Sequence, residues 1–215
     1  MARTASNKVT APETAPAGIG RRERNKLEKR SRIVAAARRL FAEQGFAETT
    51  TQQIAESADI GTGTLFLYAR SKEDLLVMVF HEEMLATAHQ AFHDLPGDMP
   101  LIDQVMQVFE HMVSYHERDL VLARLLLKEI LMPDREERAG ELSHLMGSIY
   151  AGFGQLVTAA QRSGTVSARF DPVLTAQSLF AIYYLGLLSW LGGITTRDAF
   201  FAQLRRQLEM NLDCE

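Results

Sequence analysis

The sequence predicts an all-α chain of two domains, a helix-turn-helix head and a helical body. Three observations carry that reading. Apolar residues recur at helical spacing from about Arg24 onward. The segments are separated by helix caps and breakers, with no strand-like alternation of useful length. Charge also divides the chain: residues 1–72 hold 13 Lys+Arg against 7 Asp+Glu, a balance of +6, whereas residues 73–215 hold 10 against 20, a balance of −10. The net charge of −4 hides a basic head suited to a polyanion and an acidic body suited to something else. With 47% apolar residues, 14 Gly and 6 Pro in 215 residues, a collagen-like or broadly disordered chain is excluded. The one cysteine, Cys214, excludes a disulfide framework or a cysteine-rich zinc module and predicts a cytoplasmic setting.

Residues 1–20 are small and polar, so a disordered tail is expected; they hold no apolar run of the kind a signal peptide needs. The first helix, from about Arg24, places Leu27, Ile33, Val34, Ala37, Leu40 and Phe41 at helical spacing. Gly45 should close it as a left-handed cap, with Phe46 folding back on it. Thr50 and Gln53 have capping-box spacing and open a second helix with a small apolar face of Ile54, Ala55 and Ala58. Asp59-Ile60-Gly61 makes the break, Asp tolerating the left-handed region better than most residues. A third, short helix runs from Thr62 to about Tyr68. Ser71 and Asp74 then form another capping box and lead a long helix to about His93. Its first turn belongs to the head and its remainder to the body. Beyond the break at 95–100, helices are expected at 101–116, 118–131, 136–163, 171–193 and 196–211. Pro133, Ser163-Gly164, Asp171-Pro172 and Gly192-Gly193 mark the boundaries. The domains are therefore a tail at 1–20, a head at 21–71 and a body at 72–215.

Two short helices joined by a three-residue turn describe a helix-turn-helix. Ahead of it lie Arg21, Arg22, Arg24, Lys26, Lys29, Arg30, Arg32, Arg38 and Arg39, facing only Glu23 and Glu28 nearby in sequence. A solvated helix face is one reading. Cations near a helix N-terminus oppose the macrodipole, however, and nucleic-acid phosphate would offset that cost. Within the motif, the Thr51 hydroxyl and the free N–H groups at the helix start suit a phosphate. Gln52 can pair bidentately with adenine. Thr62 and Thr64 suit a thymine methyl or a phosphate, Gly63 permits close approach to the groove, and Phe66 offers an apolar face. Tyr68 and Lys72 are candidate phosphate clamps, while Thr50 and Leu65 read as cap and core. Arg24, with Arg22, could follow a phosphate ridge or the minor groove, or belong to the tail.

The stretch Phe46-x-x-Thr49-Thr50-x-x-x-Ile54-Ala55-x-x-Ala58-x-Ile60-x-x-Gly63-Thr64-Leu65-x-x-Tyr68-x-x-Ser71-Lys72-Glu73-x-Leu75, with Ile33-x-x-Ala36-Ala37-x-x-Leu40-Phe41-x-x-x-Gly45 before it, resembles the DNA-binding domain of the TetR (tetracycline repressor) family. The resemblance covers about residues 24–80. It implies a homodimeric regulator that binds a palindromic double-stranded operator, with a C-terminal helical domain that binds a small-molecule inducer and respaces the two heads. One departure is Phe66-Leu67-Tyr68-Ala69, where the family often has two aromatics followed by His-Phe; Tyr68 can donate to a phosphate and Leu67 cannot.

The resemblance also implies an inducer pocket in the body. The residues proposed for it are Met78, His81, Met84, Phe109, Met112, Tyr115, Leu126, Tyr150, Phe153, Tyr184 and Trp190, each of which reads equally as core. It further implies a dimer bundle from the last two helices, with Tyr183, Leu187, Phe200, Phe201, Leu204 and Leu208 at the interface. Residues 172–196 carry no charge and are long enough to span a membrane. Gln177, Ser178, Ser189 and Gly192-Gly193 interrupt them and no basic cluster flanks them, so a buried interface helix is preferred and no membrane partner is expected. His89 and His93 have i, i+4 spacing but no third ligand, so no metal is expected. No cofactor motif or catalytic constellation is present, and the chain reads as no enzyme. The alternatives are an activator or ligand-independent regulator of the same fold, or a helical small-molecule or lipid carrier that binds no DNA.

Overall fold

The computed structural model describes residues 20–131 and 136–212. The expected tail up to residue 19, the break at Pro133 and Cys214 lie outside the described residues. Among the described residues every regular element is an α-helix. In chain order they are α1 (Arg21–Glu48), α2 (Thr51–Ser57), α3 (Thr62–Leu65), α4 (Lys72–His93), α5 (Leu101–Glu117), α6 (Leu120–Leu131), α7 (Glu136–Arg162), α8 (Pro172–Leu191) and α9 (Arg197–Leu212).

The caps explain where the helices begin. Thr50 accepts from the Gln53 N–H at 3.2 Å while Gln53 accepts from the Thr50 N–H at 2.8 Å, so the capping box is closed in both directions. Ser71 and Asp74 do the same for α4. Asp171 caps α8 through the N–H groups of Val173 and Leu174, with Pro172 in the first turn, where its missing donor costs nothing. Asp59 has φ +53, the left-handed conformation the turn requires. Gly45 differs in detail from a left-handed cap. Its φ of +82 with ψ of 163 lies in the extended positive-φ region that only glycine enters readily, and the chain kinks there rather than ending its helix. Phe46 still returns onto Phe41, ring centroids 5.3 Å apart.

The small apolar face of α2 sets the head. Ile54, Ala55 and Ala58 pack with Ile33, Val34, Ala37 and Phe41 of α1 and with Leu65 of α3, all buried. Helix α4 joins head to body, packing on α1 and on α5, α6 and α7. The body is centred on stacked rings. Phe109 of α5 lies parallel to Tyr183 of α8 at 4.3 Å and contacts Phe153 of α7 at 4.8 Å. Helices α7 and α8 pack side by side, and α9 packs on α8. At Gly186 the ring of Phe200 occupies the position a Cβ would take, 2.2 Å away, so α9 seats directly against the α8 backbone.

Candidate nucleic-acid interface

The helix-turn-helix presents a surface of mixed chemistry. Gln52 and Gly63 are exposed, and Thr51, Thr62 and Thr64 half-buried. Phe66 is 44% exposed and Leu67 83%, which is unusual for side chains so apolar. The amide of Gln52 donates to Glu56 at 3.0 Å, one turn away, and would have to leave that partner to reach a base. A Cβ at Gly63 would meet nothing within 4 Å, so nothing in this chain requires glycine there. Tyr68 is half-buried against the core. Arg24 is exposed in the first turn of α1, eight residues before Arg32, which lies 3.5 Å from Asp59 in the turn between α2 and α3.

Lys72 is tied down. Its ammonium donates to the Ala47 carbonyl at 2.9 Å and lies 4.5 Å from the centre of the Phe46 ring, fixing the start of α4 to the end of α1. Thr49, buried although polar, donates to the Gly45 carbonyl at 2.7 Å, and Gln44 bridges Thr49 and Gln53. Thr49 and Gln44 position α2 rather than read anything.

The basic run needs correction. It does not face only Glu23 and Glu28. Arg30 bridges Glu82 of α4 and Glu141 of α7, and Arg38 pairs with Glu82 and with Glu83 at 2.9 Å. Arg32 lies 3.5 Å from Asp59, while Arg39 reaches Glu43 and Ser57. Arg30 and Arg38 thus bind the head to the acidic body, where partners 44 or more residues distant in sequence supply the counter-charge. A second set of ion pairs does the same at the start of α4: Arg138 of α7 reaches Asp74 and Glu129, each at 2.5 Å.

The residues proposed for one inducer pocket do not line one opening. Phe109, Phe153, Met84 and Met112 fill the core, each at most 3% exposed. His81 packs toward α7, its Nε2 3.1 Å from His144 Nδ1, and burial lowers its pKa. Tyr184 stacks on Phe180 and Trp190 on Phe200. Met78 lies in a crevice with Phe66, Tyr68 and Arg138, and Tyr150 on an open groove with Gly147 and Gly154. Tyr115 and Leu126 do share a cleft, of about 380 Å³, between α1, α4, α5 and α6. Aromatic and Met content cannot separate pocket from core, because both need the same residues.

The interface residues are corrected in the same way. Tyr183, Leu187, Phe200, Leu204 and Leu208 are at most 2% exposed within this one chain, and Phe201 is half-buried. The apolar side chains that α8, α9 and their connection leave exposed are others: Val173, Leu174, Leu185, Ile194 and Met210. A helix apolar on every side does not say which face points inward. Among the described residues, no group of three or more His, Cys, Asp or Glu is arranged to hold a metal ion.

Comparison with known proteins adds to this geometry. Residues 33–79 match the family model described as bacterial regulatory proteins, tetR family. The fatty acid metabolism regulator protein of Bacillus subtilis is 23% identical over 168 residues, covering 78% of this chain and 86% of that protein. Among solved structures, Thermus thermophilus FadR in complex with lauroyl-CoA superposes with a TM-score of 0.68 at 24% identity, covering 84% of this chain and 92% of the other. Salmonella enterica GusR does so with a TM-score of 0.61 at 28% identity, covering 87% and 97%. The matched stretch and its closed capping boxes give one conclusion: the head, residues 33–79, is that of the tetR family of bacterial regulatory proteins, and it sits on a fold shared along most of the chain.

Proposed function

We propose that the chain is a homodimeric repressor that binds a palindromic operator in the cytoplasm and releases it when an apolar or amphipathic small molecule binds the body. The observation that carries this is the surface of α2 and α3: Gln52, Gly63, Phe66 and Leu67 stand exposed on a head whose own core is closed. Exposed apolar side chains beside a bare glycine and a bidentate amide suit the edge of a major groove, with thymine methyls for Phe66 and adenine for Gln52. Thr51, Thr62, Thr64, Tyr68 and Lys72 then serve as phosphate contacts. The exposed Val173, Leu174 and Leu185 of α8, with Ile194 and Met210, support pairing of two copies, and two heads related by a two-fold axis select a palindrome. The anchoring of α4 in both head and body supports release by a ligand.

The test is enrichment of genomic fragments on the full-length protein, followed by affinity measurements on the selected duplex at several salt concentrations. A palindromic site and a steep loss of affinity with salt are expected. Enrichment of no sequence would refute the reading. Because the Thermus relative holds lauroyl-CoA, that thioester is the first compound to add to the bound complex.

A further inference from the structure

We propose that the first three turns of α1 are a second DNA-binding element, an arm that holds the phosphates of the duplex flanking the half-site read by α2 and α3. This rests on the DNA-binding function proposed above and adds to it a contact outside the helix-turn-helix. Residues 21–32 contain no buried side chain; the first is Ile33, where α1 enters the head. At 1.5 Å per residue this stretch extends about 18 Å.

Two ion pairs on opposite sides of α1 fix the base of the arm. Arg30 bridges Glu82 of α4 and Glu141 of α7, and Arg32 lies 3.5 Å from Asp59 in the turn that leads into α3. At about 100° per residue, Arg30 and Arg32 point about 160° apart, so α1 runs between the body and the helix-turn-helix.

The remaining charges divide along the same line. Arg21, Arg22, Arg24 and Lys29 all lie within about 80° of the direction of Arg32, on the side of the turn. Among the described residues, none of these four side chains has an ion-pair or hydrogen-bond partner. Glu23 and Lys26, which pair with each other, and the exposed Leu27 lie about 120–180° from Arg32. Glu28 is the one acid on the cationic side.

Such a face is unfavourable by itself. Its like charges repel, those of Arg21, Arg22 and Arg24 oppose the macrodipole in the first turn, and a short helix without apolar contacts is marginal in water. A polyanion along the face relieves all three. Duplex DNA is that polyanion because the face continues, through Arg32 and Asp59, into the unit that presents Thr62, Gly63 and Phe66. Phosphate contacts carry no base preference, so the arm adds affinity and register on any flanking sequence. Its length matches about 5 bp at 3.4 Å per step.

The experiment measures affinity of the full-length protein against salt on its selected operator, either cut at the ends of the palindrome or carrying about 10 bp of random sequence on each side. Arg21→Gln, Arg22→Gln, Arg24→Gln and Lys29→Gln together should make the dependence of log affinity on log salt shallower on the flanked duplex. Each lost phosphate contact takes about 0.9 from that slope, so these cations in two subunits take up to about 7. On the cut duplex, variant and wild type should coincide. Hydroxyl-radical footprints of the wild type should reach about 5 bp further into each flank than those of the variant. Arg21→Gln alone should lower the slope by about 2, whereas Lys26→Gln, on the other side of the helix, should leave it unchanged. None of these side chains is buried, so circular dichroism should show no loss of helix. A change of slope below about 2 in the fourfold variant, an equal loss on the cut duplex, equal footprints, or the same effect from Arg21→Gln and Lys26→Gln would overturn the arm. If no operator is enriched, the proposed function fails and a random-sequence duplex judges the arm instead. The fourfold variant should show the shallower slope there too, and an unchanged slope would overturn the proposal.

Discussion

Replacing Arg138 with Met removes the charge that holds the first turn of α4 to the body and keeps most of the apolar stem. In the wild type, Arg138 Nε donates to Asp74 and Nη1 to Glu129, both at 2.5 Å. The three side chains are 8%, 11% and 16% exposed. Breaking a buried pair from one side costs about 3–5 kcal/mol, because the partner stays buried and charged. Asp74 keeps the backbone N–H groups of Arg70 and Ser71, at 2.8 and 3.1 Å. The loss should therefore lie at the low end, about 3 kcal/mol. Urea denaturation of the full chain, followed by circular dichroism at fixed protein concentration, measures it. Adding Glu129→Gln to Arg138→Met removes one stranded charge and should recover about 1 kcal/mol. Because Asp74 also caps α4, operator affinity of the single variant should fall as well. A loss in stability below about 1 kcal/mol, the scale of an exposed ion pair, would refute the view that these three groups form a buried tie.

Other expectations follow from single positions. Leu187→Glu buries a charge inside the subunit and should unfold the chain, whereas Leu185→Glu, at a position 66% exposed in one chain, should leave a folded monomer; light scattering with circular dichroism separates the two, and a dimer persisting in Leu185→Glu would contradict the assigned face. Gln52→Ala should cost about 1–3 kcal/mol at one base pair, while Lys72→Ala weakens all sequences alike, as measured on a panel of single-base operator variants; the same loss on every duplex for both would remove Gln52 as a base reader. Stability should fall on acidification through His116. Unfolded, the ring takes its proton near pH 6.5; folded, it does so only near pH 4, so between those values the unfolded state binds more protons. That costs about 3 kcal/mol between pH 7 and 4, and His81, shifted the same way, adds to it. His116→Phe should flatten the slope of urea midpoint against pH; parallel profiles would assign the loss to other groups.

The helices were legible because their ends are chemically marked. Thr50 with Gln53, Ser71 with Asp74 and Asp171 with Pro172 announce themselves at fixed local spacing, and local hydrogen bonds close them in the structure. The polar candidates on α2 and α3 were legible for the same reason: Gln52 and Gly63 are exposed because neighbours within a few residues take the buried positions. Partners distant in sequence were not. The basic run looked free because Glu82, Glu83 and Glu141 approach Arg30 and Arg38 only through the packing of α1 on α4 and α7. Likewise α8 was recognisable as an apolar helix, but its inward face is chosen by Phe109 and Phe200, which no periodicity within α8 reveals. His116 carried no sequence signal, since its burial and its unpartnered nitrogen appear only once the helices are packed.

The length of α4 makes the head sensitive to small movements elsewhere. Its 22 residues span about 33 Å at 1.5 Å per residue. Its head end is fixed to the end of α1 through Lys72 and the Ala47 carbonyl, so a tilt of α4 about its distal end carries α2 and α3 with it. A rotation of only about 6° would sweep that end through about 3.4 Å, one base-pair step of B-form DNA. In a two-fold dimer the displacements add, and the reading helices would fall about two steps out of phase with an unaltered operator. Geometric amplification of this kind lets a ligand act by displacing side chains a fraction of an ångström near α4, leaving the protein's contacts with each half-site otherwise intact.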